Sequence, residues 1–218
     1  MIKLDNVTLV SMSSVNMDLT IKALEKSMEQ IEFNSVKLIT HEKPNFLTNK
    51  IEFCYIDKIN NVNEYSFNMI YKLSDYINTE YVLVIQSDGY VVNVDSWKDE
   101  FLNYDYIGAP FMLPNDDFSY RDINGNIFRV GNGGFSLRSK KLIDLPNKLN
   151  LEWKAFHGFY NEDGFICAMN RHIYEENGCK FAPLEIAKYF SHEHQIPETY
   201  NINPFGFHGK FSKWYKNN

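Results

Sequence analysis

Five consecutive apolar residues, Tyr81-Val82-Leu83-Val84-Ile85, break without transition into the polar turn Gln86-Ser87-Asp88-Gly89. A strand with one face in water alternates apolar and polar side chains. A strand with no alternation is buried on both faces, as in parallel sheets covered by helices on either side. The flanking sequence agrees with an α/β chain. Residues 7–10 are a short β-rich run closed by Ser11-Met12-Ser13-Ser14, and Asp18 stands where it would cap a helix carrying Leu19, Ala23, Leu24, Met28 and Ile31 at near-helical spacing. Residues 36–39 and 51–55 read as further strands, and 65–77 as a helix with Phe67, Ile70, Leu73 and Ile77 on one face. This alternation predicts a largely parallel sheet.

The second half changes character. Residues 115–126 read as a loop, 131–138 as a strand opened by glycines, 140–145 as a short helix, and 160–177 as one helix that begins with acids and stops at Gly178. No repeat or low-complexity linker divides the chain, so residues 1–218 are expected to form a single domain, and 44% hydrophobic residues exclude bulk disorder. The 28 acids outweigh the 22 bases, which argues against a protein that works by neutralising nucleic-acid phosphates. No apolar run approaches the roughly 18 to 20 residues of a transmembrane segment, and the first residues carry charge where a signal peptide is apolar, so a cytoplasmic location is expected. Cys54, Cys167 and Cys179 show no CxxC pairing and read as buried free thiols.

Polar residues just past the carboxyl end of a buried parallel strand lie where open α/β sheets bind ligands. Asp88 stands there, either as a carboxylate that holds a divalent cation with substrate phosphates or as part of a plain Asp-Gly turn. Asn161-Glu162-Asp163-Gly164 opens the later helix, where acids are favoured by the helix dipole and where one could also serve as a general base. Gly131, Gly133 and Gly134 do not form GxGxxG and precede a strand, so the dinucleotide fingerprint is rejected in favour of close backbone approach to a bulky ligand. His192-Glu193-His194 lacks the spacing of a helical zinc site. His208, between Phe207 and Gly209, is by default a core or capping residue. Lys210 opens a tail in which bases and aromatics interleave, suited to a diphosphate or a membrane surface, or to nothing beyond a frayed terminus. Neither GxSxG, nor a P-loop, nor a Cys-His signature is present.

The order of these pieces is specific: a buried strand ending in an acid, then Trp97, then Tyr104-Asp105-Tyr106-Ile107-Gly108-Ala109-Pro110, then Val130-Gly131-Asn132-Gly133-Gly134-Phe135-Ser136-Leu137-Arg138-Ser139, then Glu162-Asp163, then Phe207-His208-Gly209. From about residue 7 to 209 the chain resembles the GT-A-type glycosyltransferase-like family catalogued as a domain of unknown function, DUF5672. The resemblance implies a GT-A-like (nucleotide-diphospho-sugar transferase) fold, a Rossmann-like sandwich with a mostly parallel central sheet. It also implies a hexosyltransferase that moves a sugar from a UDP- or GDP-sugar donor to a glycan or glycoconjugate acceptor, as in polysaccharide biosynthesis, with inversion and with Mn²⁺ or Mg²⁺ as the divalent cation. Asp88 matches the second acid of the family's metal-binding DxD motif, Gln86 stands at the first, and Ser87 and Gly89 complete the turn against the donor. His208 matches a C-terminal histidine ligand. Asp163, with Glu162 as alternate, matches the catalytic base. Val10, Ser11 and Met12 match the strand and loop that receive the nucleoside, Lys43 is a further donor-binding candidate, and Gly133 and Gly134 are expected to face a sugar. The rivals are a nucleotidyl or phosphosugar transferase at the same sheet edge, and a non-catalytic carbohydrate-binding or assembly module, which the departure at Gln86 favours.

Overall fold

The computed structural model describes residues 1–153, 161–210 and 212–214. Its first half alternates strand and helix: β1 (Ile2–Met12), α1 (Met17–Ser27), β2 (Ile31–Thr40), β3 (Glu52–Tyr55), α2 (Val62–Tyr71) and β4 (Tyr81–Ile85). These four strands pair in parallel, β1 lying between β2 and β4, and β3 beside β2. Two later strands, β6 (Tyr106–Ile107) and β7 (Phe135–Ser139), extend the sheet in the antiparallel sense, giving the order β3-β2-β1-β4-β7-β6. All five residues of β4 are buried, which is why that strand has no polar alternation.

Successive strand side chains point to opposite faces, and each face has its own core. Leu9, Leu38, Leu83 and Leu137 join Leu24 of α1 and the rings of Phe101, Phe190 and Phe205 on one side. Val10, Ile39, Val82 and Val84 join Met69 and Ile70 of α2, Leu142 of α3 (Lys140–Lys148) and Phe165 on the other. Full burial of one such side chain contributes about 1.5–3 kcal/mol, so both layers are needed to hold the sheet.

A second, three-stranded sheet positions the site. Past the turn at 86–88 the chain continues into β5 (Gly89–Val91), and much later α6 (Leu184–Phe190) leads into β8 (Ser191–His192) and then β9 (Gly206–His208). The order is β5-β9-β8, with Gly89 opposite His208 in the antiparallel pair and His192 opposite Phe207 in the parallel one. A Cβ on Gly89 would sit 2.7 Å from the Phe207 carbonyl oxygen, so this pairing requires a glycine. The last third of the chain is thereby laid against the carboxyl end of β4.

Several expectations are corrected. The N-cap of α1 is Asn16 in the left-handed region (φ 52°), and Asp18 lies within the first turn. Helix α2 starts three residues before Tyr65, because the Asn61 side chain accepts from the Glu64 N–H at 3.0 Å, and it ends at Tyr71 before a separate 3₁₀ turn, Leu73–Tyr76. Residues 131–134 form a loop ahead of β7. The expected helix over 160–177 is three pieces: α4 (Glu162–Gly164), a π turn (Phe165–Met169) and α5 (Arg171–Glu176), with Tyr160 outside the described residues. The Asn170 N–H reaches back five residues to the Phe165 carbonyl at 3.0 Å, and the Asn170 side chain donates to the same oxygen at 3.1 Å. One residue is inserted there, so the 3.6-residue period holds on either side of the turn and not across it. Of the three thiols, Cys167 and Cys179 are buried and Cys54 is half-buried, all unpaired.

Candidate active site

After Ile85 the chain turns through residues 86–88. The Gln86 N–H donates to the Gly134 carbonyl at 3.0 Å, and the Gly89 N–H to the Gln86 carbonyl at 3.1 Å. The β5–β9 pairing sets His208 beside this turn. Its Nε2 lies 3.4 Å from Asp88 Oδ1 and 3.1 Å from Gln86 Oε1. Its Nδ1 lies 3.6 Å from Glu193 Oε1 and 3.2 Å from Asn132 Nδ2. Gln86 also donates from Nε2 to the Tyr65 hydroxyl at 2.9 Å, so its amide ties α2 to His208 and gives to one partner while accepting from the other. Burial alone would depress the His208 pKa, but Asp88 and Glu193 outweigh it and push it up to about 9. The hydrogen bond from His208 in turn holds Asp88 below its ordinary value, against burial, with Lys210 adding to the effect. Burial opposes ionisation of Glu193 as well, and His208 again prevails and holds it low.

The two adjacent acids of the later helix point to different partners. Glu162 is 5% exposed and meets Arg138, itself 0% exposed, at 3.3 Å. Arg138 donates further to Ser136 Oγ at 3.0 Å and to the Gly133 carbonyl at 3.3 Å, and lies over the Tyr106 ring. Asp163 instead accepts from the Gly133 N–H at 3.3 Å and the Gly164 N–H at 2.7 Å. Burial, and then the charge of Glu162, push its pKa up to about 6 despite those two donors. The room left by the glycines is taken by protein: a Cβ on Gly133 would lie 1.9 Å from Glu162 Oε1, and one on Gly134 2.2 Å from His208 Nε2.

Two cavities flank His208. The larger, about 530 Å³, is lined by Phe111, Phe118, Tyr120, Phe128, Asn132, Asp163 and Glu193 among others. The smaller, about 440 Å³, is lined by the loop after β1, by residues 59–62 and Tyr65, by Gln86, Ser87 and Asp88, and by Lys210. Ser11, Met12, Gln86, Ser87 and Asp88 therefore come together as expected, although Ser11 spends its hydroxyl on the Ile85 carbonyl at 2.8 Å. Val10 is buried in the core, Gly89 lies within β5, and Lys43 is exposed after β2 and lines neither cavity. Tyr65 and Tyr120 are site residues that no motif announced, while Asn132 lies within the glycine-rich stretch 130–139 and Glu193 within His192-Glu193-His194, neither singled out there as a site residue. Tyr120 (φ 56°) and Asn132 (φ 38°) are both held in the left-handed region, an uncommon state for side-chain-bearing residues that clusters at functional sites. His192 Nε2 is spent on the Lys188 carbonyl at 2.7 Å, and His194 faces Glu193 at 3.5 Å, so the two do not converge.

Among the described residues no group of three or more His, Cys, Asp or Glu side chains is arranged to hold a metal ion. Asp88 and His208 nevertheless fit as a pair of neighbouring ligands. Adjacent donors at about 2.1 Å from a small cation stand roughly 3 Å apart, and the observed separation is 3.4 Å. A carboxylate oxygen with an imidazole nitrogen suits Mn²⁺ or Mg²⁺ when phosphate oxygens complete the shell.

The family model described as "Protein of unknown function (DUF5672)" matches residues 45–208. No curated protein matches the chain. The fold is similar to that of the galactosyltransferase LgtC. An active-site mutant of LgtC superposes with a TM-score of 0.54 at 13% identity, and a complex of LgtC with donor and acceptor sugar analogs with a TM-score of 0.52 at 12% identity, each over 92% of this chain and 86% of that chain. The mixed sheet, parallel in its first four strands, is thus a GT-A glycosyltransferase-like fold. No helix among the described residues is long and apolar enough to cross a membrane.

Proposed function

The chain belongs to the DUF5672 family, and we propose that it is a glycosyltransferase that moves a sugar from a UDP- or GDP-sugar to a glycan acceptor, with inversion. One observation carries this reading: a single histidine contacts the linings of two cavities, its Nε2 facing Asp88 of the one that also holds Lys210 and its Nδ1 facing Glu193 of the one that also holds Asp163. Two substrates that must react with each other need two adjoining subsites. The likeness to a fold solved with both donor and acceptor sugar analogs supports the same division.

In the smaller cavity the loop after β1 receives the nucleoside, and Lys210 offers an ammonium to the diphosphate. Asp88 and His208 are the residues that would hold Mn²⁺ or Mg²⁺, which when bound supplies positive charge for the leaving diphosphate. Gln86 accepts from the same His208 Nε2 that faces Asp88, so a cation held there would replace the proton of this bond, with Gln86 kept in place by Tyr65. In the larger cavity the acceptor ring lies against the aromatic walls, and Asp163 takes the proton of the attacking hydroxyl. A carboxylate with a pKa near 6 is ionised at neutral pH and remains a better proton acceptor than one near 4. The N–H groups of Gly133 and Gly164 fix its orientation.

Binding of a nucleoside diphosphate tests the donor half directly. Two phosphates repel a bare carboxylate, so wild-type protein is expected to bind UDP or GDP more tightly with Mn²⁺ than without, and Asp88→Asn to lose that increment, by at least about tenfold in Kd. Equal calorimetric affinity of wild type and variant in Mn²⁺ would remove Asp88 from the site.

A further inference from the structure

The larger cavity has a distinct chemical character. Its walls carry the rings of Phe111, Phe118 and Tyr120, with Phe111 and Tyr120 stacked at 4.1 Å and 7° between planes. Its polar lining carries two carboxylates, Asp163 and Glu193. No lysine or arginine is among its described lining residues. His194 faces Glu193 at 3.5 Å, and His208, which Glu193 shares with Asp88, faces Glu193 at 3.6 Å, so the carboxylates of the cavity and of the turn beyond outnumber the imidazoles between them. Arg171 is stacked on Phe128 and paired with Glu175 at 2.8 Å, so its charge is already met. The Tyr120 hydroxyl reports the resulting field, since burial and then Glu193 and Asp163 hold its proton more tightly than usual. Carboxylates only accept hydrogen bonds when ionised, and in a partly desolvated cavity they repel another anion far more than in water. Aromatic faces, in turn, match the apolar face of a sugar ring.

Resting on the glycosyltransferase reading of this site, we propose that the acceptor is a sugar ring rich in hydroxyl or amine donors and free of negative charge, so that uronic acids and phosphorylated sugars are excluded by Asp163 and Glu193. The two carboxylates then select the acceptor by charge, and Phe118, at the exposed edge of the aromatic wall, contributes affinity without that selectivity.

The test is binding of three matched ligands, methyl glucoside, methyl glucosaminide and methyl glucuronide, followed by saturation-transfer NMR on the full chain with UDP or GDP present. The first two are expected to bind, and the glucuronide to bind at least about tenfold more weakly. Glu193→Gln and Asp163→Asn should each narrow that gap, whereas Phe118→Ala should weaken the glucoside and the glucosaminide alike and leave the gap in place. A glucuronide that binds as well as the glucoside, a gap that both amide variants leave intact, or binding of none of the three overturns the proposal. Nucleotide binding, measured separately, judges the other claim. Discrimination among glycosides without any nucleotide binding would leave this inference standing as a carbohydrate-binding property and remove the transferase reading, and the reverse pattern would do the opposite.

Discussion

Asp163→Asn is expected to keep donor binding and to lose turnover by a factor on the order of 10² to 10⁴, the usual contribution of a positioned base. The amide preserves the size of the side chain and its one oxygen can still accept from the Gly164 N–H, while the NH2 that replaces the second oxygen gives up the longer bond from the Gly133 N–H; it cannot take the hydroxyl proton. The loss therefore falls in kcat rather than in donor affinity. The wild-type rate should itself decline as pH drops through about 6, where Asp163 becomes protonated. Stability has the opposite sign. The folded-state pKa lies above the ordinary value of 3.8, so between those limits the native state holds more proton than the unfolded chain, and this contribution to stability is lost as pH rises through about 6. The asparagine variant lacks this titration, so its stability relative to wild type should improve from pH 4 to pH 8, which thermal melts at the two values would register. Turnover within about threefold of wild type, well inside the range for a base, would dismiss Asp163.

Glu162→Gln, one residue earlier, is expected to do the reverse. Glu162 neutralises Arg138, a guanidinium with no exposed surface, and removing one partner of a buried ion pair costs about 3–5 kcal/mol because the other charge is left uncompensated. The denaturation midpoint should fall accordingly, and a second change, Arg138→Met, should restore part of it by removing the stranded charge. A variant that keeps its midpoint while its turnover collapses would make Glu162 the base instead. Adjacent acids that look alike in sequence thus have different partners, because the loop ahead of β7 brings Gly133 against both.

That separation marks how far the sequence could be read. The central strand, its burial on both faces and the acid beyond it were legible because a continuous apolar run and an abrupt polar turn are local features. The meeting of Asp88 with His208 followed from the family resemblance, and its physical cause is the pairing of Gly89 with His208 across two short strands. Glu193 was not legible as a site residue. It depends on β8 lying parallel to a strand more than ten residues away, and the residues around it suggested only a poor zinc motif. Gln86 looked like a missing ligand, whereas its two hydrogen bonds make it the link between Tyr65 and His208. The π turn escaped because periodicity on each side of Asn170 is regular and the inserted residue leaves no mark in composition.

The central claim, transfer of a sugar from a nucleoside-diphosphate donor, is tested most directly by following the nucleotide product while the protein is incubated with UDP- and GDP-sugars, Mn²⁺ and a panel of neutral and amino glycosides. Free UDP or GDP is expected to be released in amounts that rise with the glycoside and are matched by a product heavier by one sugar residue. Release of pyrophosphate, or no consumption of any UDP- or GDP-sugar under conditions where the nucleoside diphosphate itself binds, would contradict it.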